Sequence, residues 1–171
     1  NWSTSGRFLF RQRLGKAGRT ISANINYSFS NNEMAGLNQS LTQTDFDQDG
    51  VYDNDIVNQR FDQLSTNSSL SGRLVYTEPL AQTLFLEASY QYSWNLNKSK
   101  KDTYNSGSND FSTSDMMYDY KGEVYDPTYS SSIVNRYINQ RAGLTLSWQK
   151  EKINAQIGAQ LNPTNTYNET N

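Results

Sequence analysis

Thr20–Ser30 reads T-I-S-A-N-I-N-Y-S-F-S, and its alternation decides the fold. Ile21, Ala23, Ile25, Tyr27 and Phe29 occupy one set of positions, and Ser22, Asn24, Asn26, Ser28 and Ser30 the other. A period of two predicts a β-strand with one apolar and one polar face. Ile, Tyr and Phe also favour a pleated backbone, whereas a helix would scatter them around its circumference.

The same alternation recurs along the chain and predicts six strands. Gly6–Arg13 sets Phe8 and Phe10 against Arg7, Leu9 and Arg11; Leu70–Thr77 sets Leu70, Leu74 and Tyr76 against Ser71, Arg73 and Thr77. Leu84–Leu96 and Ile138–Gln149 follow, and Ile153–Asn162 closes the series. The stretches between them are unequal. Leu14–Arg19, Glu78–Gln82 and Lys150–Lys152 are short turns, with Pro79 expected to stop the ladder. Asn31–Ser69 and Asn97–Tyr137 are long and poor in regular pattern, and are expected to be loops. Setting Thr77 opposite Thr83 would place Arg73 opposite Glu87 as a cross-strand ion pair.

Composition narrows the function classes. The 171 residues are 35% hydrophobic and 13% aromatic, with 12 Tyr, which is polar for a soluble core but not disordered. The net charge is −2, and no basic stripe suited to nucleic acid is present. There is no Cys for disulfides or thiolate metal sites, and no His for the usual general base or zinc ligand. With Glu87 and Glu123 joined by no motif, no enzyme is predicted. No apolar run of about 18 residues exists to form a spanning helix. The chain opens at Asn1 without a charged, apolar leader, so a processed chain or an internal piece is expected.

Chemistry and spacing together favour lipid over a second protein layer. Arg73, Glu87 and Arg141 all fall on polar faces, and the remainder of those faces is Ser, Asn, Gln and Thr. A barrel lumen is polar and hydrated, whereas a soluble sheet more often shows water a Lys/Glu mixture. Alternating short and long connections are the habit of outer-membrane barrels, whose strands of about 9–11 residues cross at a tilt. The predicted fold class is therefore all-β: an antiparallel up-and-down transmembrane β-barrel segment with short periplasmic turns and two long extracellular loops. Lipid would meet Ile21, Ile25, Tyr27, Phe29, Leu74, Leu86, Tyr90, Trp94, Leu144, Leu146, Trp148 and Ile157. The lumen would be lined by Asn24, Asn26, Arg73, Glu87, Gln91, Arg141 and Gln156.

R-L-G-K-A-G-R-T-I-S-A-N-I (Arg13–Ile25), L-S-G-R-L-V-Y-T-E-P-L (Leu70–Leu80) and N-Q-R-A-G-L-T-L-S-W-Q (Asn139–Gln149) resemble barrel hairpins of Bacteroidetes-type outer-membrane β-barrel proteins, in the TonB-dependent receptor-like group. The resemblance spans the strands and short turns from Phe8 to Leu161. It implies a larger barrel of about 22 strands, so residues 1–171 would be a partial barrel domain. It also implies a plug from elsewhere in the full-length chain, a TonB-type energising partner, and uptake across the bacterial outer membrane. An adhesive or structural surface β-protein without transport, and a soluble carbohydrate-binding β-domain, are the alternatives.

Three features outside the strands could carry chemistry. In D-F-D-Q-D-G-V-Y-D-N-D, Asp45, Asp47, Asp49, the Val51 carbonyl and Asp53 fall at positions 1, 3, 5, 7 and 9 of an EF-hand-like calcium loop, with Gly50 at the bend. Ile56 stands where the twelfth-position carboxylate belongs, and a merely acidic loop would read the same way. Tyr118, Tyr120, Tyr125 and Tyr129 lie among Ser, Asn and Asp, where they could contact a small ligand, glycan or peptide or simply pack the loop. Lys98, Lys100 and Lys101 could meet lipopolysaccharide phosphates or form a solvated charge run.

Overall fold

The computed structural model describes residues 1–45, 52–108, 117–151 and 153–171. Alternating sequence becomes strand throughout: β1 (Trp2–Arg13), β2 (Thr20–Thr44), β3 (Asp53–Ala81), β4 (Leu84–Asn105), β5 (Val124–Tyr125), β6 (Ser131–Lys150), β7 (Ile153–Leu161) and β8 (Thr164–Thr170). Among the described residues there is no helix. All eight strands belong to one open antiparallel sheet in the order β1-β2-β3-β4-β6-β7, with β5 pairing β4 and β8 pairing β6. The long strands therefore run up and down in chain order, as the alternation predicts.

Eight strands stand where six are expected, and several expectations about the connections are corrected. The second long stretch is strand chiefly at its ends, β4 to Asn105 and β6 from Ser131, whereas the first is mostly strand: β2 continues to Thr44 and β3 already begins at Asp53. Their hydropathy lacks a period because the ladder there is held by polar pairs, Gln39 with Asn58 at 2.8 Å and Gln43 with Asn54 at 3.0 Å. Pro79 does not end the ladder either, since β3 runs to Ala81. The β3–β4 turn is Gln82–Thr83, so the longer turn that would set Thr77 opposite Thr83 does not form. Arg73 and Glu87 make no ion pair.

The chain divides into two compact units. The first holds Asn1–Asn31, Thr66–Lys98 and Val134–Glu169. Within it, β1 and β2 pair Phe8 with Ile25, Phe10 with Ala23 and Gly6 with Tyr27 on one face, and Arg7 with Asn26 and Arg11 with Ser22 on the other. Across β6 and β7, Ala142 meets Leu161, Leu144 meets Ala159, Leu146 meets Ile157 and Trp148 meets Ala155; Thr145 with Gly158 and Ser147 with Gln156 take the opposite face. Both registers keep the two chemistries apart, because a one-residue slip would exchange every side chain between faces. Tyr27 leans its ring over Gly6, where an added Cβ would lie 2.3 Å from Cε1, so the glycine leaves room for the aromatic.

The second unit holds Asn32–Ser65, Ser99–Ile133 and Thr170–Asn171. The same device recurs there: the Phe61 ring lies over Gly36, 2.8 Å from where a Cβ would stand. Its residues 117–130 fold back on β4 through Tyr104 with Tyr125 and Asn105 with Val124. Thr103, 2% exposed, accepts the Asp126 amide on its carbonyl at 2.8 Å and donates its hydroxyl to the Tyr129 carbonyl at 2.8 Å.

Among the described residues only one large hydrophobic side chain is buried, Tyr118. Every described strand contributes to the single sheet, so among the described residues no second layer covers the apolar face. Leu144 is 56% exposed, Tyr27 50% and Ile157 72%; Ile25, Leu74, Tyr90 and Trp148 are exposed as well. Ile21, Phe29, Leu86, Trp94 and Leu146 are half-buried.

Candidate functional site

The polar face of the first unit brings the predicted lumen residues together. Asn26 donates its amide to the Ser71 hydroxyl at 3.3 Å, and Ser28 pairs with Ser69 at 2.7 Å, which puts the polar rows of β2 and β3 on one side. Arg7 Nε donates to Asn24 Oδ1 at 3.3 Å on that side. Arg73, Glu87, Gln91 and Arg141 line a common recess of about 320 Å³. Gln156 stands opposite Ser147 on the same face of β6 and β7. All seven predicted residues thus share one face, and the sequence signal that located them was period two alone.

At the short-turn end of this unit the backbone bends through Gly15 and Gly18, at φ 57° and 85°. The bend is closed by Leu14 N–H to the Arg19 carbonyl, 3.0 Å, and Arg19 N–H to the Lys16 carbonyl, 3.1 Å. It positions Arg19 to grip Glu78 with two N–H groups, at 2.7 and 2.8 Å. Tyr76 donates its hydroxyl to the same carboxylate at 2.6 Å, and Lys16 stands 3.4 Å away while also donating to the Pro79 carbonyl. These bonds, the Arg19 pair first and the Tyr76 hydroxyl second, hold the Glu78 carboxyl down from 4.5 to about 2. The Arg19 guanidinium is correspondingly raised, chiefly by its hydrogen bond to Glu78. Glu78 on β3, and Lys150 on β6 opposite Ile153, thus put charge at the turn ends of these two strands.

The second unit has a polar centre of its own, around Arg60. Its guanidinium reaches Glu123 through Nε at 3.1 Å and Nη2 at 2.9 Å, pairs with Asp62, and lies 4.6 Å from the centre of the Tyr104 ring. Tyr118 donates to Glu123 Oε2 at 2.9 Å. Burial first and that hydrogen bond second push the Tyr118 phenol up to about 12, while Arg60 lowers the Glu123 carboxyl. A bidentate guanidinium–carboxylate pair fixes orientation as well as distance. Sixty-three residues separate Arg60 from Glu123, so no local pattern announces the pair.

The tyrosines predicted as ligand contacts fall into two groups. Tyr118 is 9% exposed and held by Glu123, which makes it a packing residue and not an open contact. Tyr120, Tyr125 and Tyr129 are exposed, with Tyr125 also edge-on to Tyr104 at 5.7 Å and Tyr120 edge-on to Tyr118 at 4.8 Å. Of the lysines, Lys100 pairs with Asp102 at 2.7 Å and Lys101 lies over Phe61 at 5.3 Å. In the predicted calcium loop, Asp47, Asp49 and Val51 lie outside the described residues, while Asp53 is the first residue of β3. Among the described residues no three carboxylates gather as a metal site.

Comparison with known protein families and with curated proteins finds no match to this chain.

Proposed function

We propose that this chain is part of the membrane-spanning wall of an outer-membrane transporter of the TonB-dependent receptor-like kind, with its apolar face against lipid and its polar face lining a conduit. The observation that carries the proposal is the exposed row Ile25, Tyr27, Leu74, Tyr90, Leu144 and Trp148, opposite a face of Ser, Asn, Gln and Arg, with one large hydrophobic side chain buried among the described residues. Contiguous apolar surface of this extent is unfavourable in water and marks an interaction surface. An open sheet has two edges with unpaired backbone groups, and hydrocarbon supplies no partner for them. The remaining strands of a closed barrel would satisfy both. In the second unit, exposed Tyr120, Tyr125 and Tyr129 would meet arriving cargo, and a plug from elsewhere in the full-length chain would gate passage.

Trp148 reports on lipid contact directly. In a variant carrying Trp2→Phe and Trp94→Phe, Trp148 fluorescence should be quenched on insertion into vesicles of brominated phosphatidylcholine and not by iodide in the buffer. A chain that stays monodisperse without detergent, with Trp148 quenched by iodide alone, would refute the proposal and favour a surface or soluble β-domain.

A further inference from the structure

The polar face of the first unit is unbalanced in charge. Arg7, Arg11 and Arg13 lie on it along β1, opposite Asn26, Ser22 and Thr20. Arg73 and Arg141 lie on it farther along the sheet, and Glu87 is the acid that shares their recess. The chain as a whole has more acid than base, 17 Asp and Glu against 15 Lys and Arg, so this concentration of arginine does not follow from composition.

Within the recess, Arg73 and Arg141 are both exposed, and neither is committed to an ion pair or hydrogen bond. This contrasts with Arg19 and Arg60, which are each held by carboxylates. The floor is cut by two glycines. A Cβ at Gly143 would lie 3.1 Å from the Ser89 hydroxyl, and one at Gly158 would lie 2.9 Å from the Thr145 hydroxyl. Their absence leaves those hydroxyls bordering the recess, beside the Gln91 amide. Each guanidinium offers five N–H donors and no acceptor. The guest must therefore bring acceptors and negative charge. A volume of 320 Å³ admits a small molecule and not a folded partner.

We infer that this recess binds a small oxyanion, a carboxylate- or phosphate-bearing compound held between Arg73 and Arg141. Its charge-assisted hydrogen bonds would come in pairs from planar guanidinium groups, which suit both kinds of oxygen acceptor. Glu87 would limit the affinity, so that the guest is held weakly enough to move on. The inference names a cargo class for the conduit wall and so rests on the proposed transport function for its meaning, but binding itself needs no bilayer.

The test is isothermal titration of the chain in uncharged detergent at low ionic strength, with citrate, inorganic phosphate and glucose as probes. Citrate or phosphate should bind and glucose should not; which of the two binds more tightly identifies the preferred oxyanion. Arg73→Gln with Arg141→Gln should weaken binding by at least about tenfold, the loss of two charge-assisted pairs. Glu87→Gln should tighten it, an effect that misfolding cannot imitate. Equal heats for glucose and both anions, or weaker binding in Glu87→Gln, would overturn the inference. Anion binding without Trp148 quenching by brominated lipid would leave the recess standing and remove the membrane wall; quenching without anion binding would do the reverse.

Discussion

Leu144→Arg separates lipid from water more sharply than any other single change on this sheet. Leu144 lies six residues before Lys150, where β6 ends, and faces Ala159 across the ladder. At about 3.3 Å per residue that is about 20 Å along the strand. A tilt of about 45° reduces it to about 14 Å of height, close to the middle of an apolar band about 25 Å tall. Arginine at that depth should cost about 2–4 kcal/mol. The same change at a position 56% exposed to water should cost no more than about 0.5 kcal/mol, as at ordinary surface sites. Ile153→Arg supplies the control: Ile153 stands opposite Lys150 at the turn and should lose only about 0–1 kcal/mol. Reversible guanidinium unfolding of the chain inserted in phosphatidylcholine vesicles measures both losses. Equal, small losses for Leu144→Arg and Ile153→Arg would refute the depth argument, because water has no midplane.

Further outcomes follow from the two polar clusters and the glycine sites. Because the Glu78 carboxyl is lowered on folding, its contribution to stability is present above pH 4.5 and should be lost as pH falls toward 2. An acid titration followed by circular dichroism should show that loss in the native chain and a flatter profile in Glu78→Gln. Glu123→Gln should bring the Tyr118 phenol down from about 12 while leaving it above 10, since burial is the larger cause; ultraviolet titration of the tyrosinate band reads it. The same variant should speed hydrogen exchange at Gly107, whose amide donates to the Asp119 carbonyl at 3.1 Å. Gly6→Val should displace the Tyr27 ring and destabilise by about 1–3 kcal/mol, the range for overfilled sites, again by guanidinium unfolding.

How much of this was legible depends on what each feature leaves in local sequence. The separation of faces was: Phe8 with Ile25 and Leu146 with Ile157 fall where alternation places them, since only one parity keeps both rows apart. The far ends of β2 and β3 were not, because Gln39–Asn58 and Gln43–Asn54 are polar and the strand there shows no change of hydropathy. Pro79 misled for a related reason: it lies near the end of β3, where Lys16 takes its carbonyl and a missing N–H costs the ladder little. The expected Arg73–Glu87 pair assumed a longer turn than Gln82–Thr83, and register follows turn length. The clusters around Glu78 and Arg60 join residues some sixty positions apart, beyond the reach of any spacing rule. Gly6 and Gly36 did leave a trace, as glycines on strands that a neighbouring aromatic could cover, which becomes readable once register is known.

The extension of β2 to Thr44 and of β3 back to Asp53 changes what these two arms are able to do. Free chain must be frozen into shape whenever it grips something, and each ordered residue costs about 1–2 kcal/mol of backbone entropy. Hairpin arms already laddered have met that cost during folding. A molecule arriving there meets a finished surface, so selection among visitors falls to the shape and chemistry of side chains such as Met34, Leu37 and Leu41, which β2 leaves exposed.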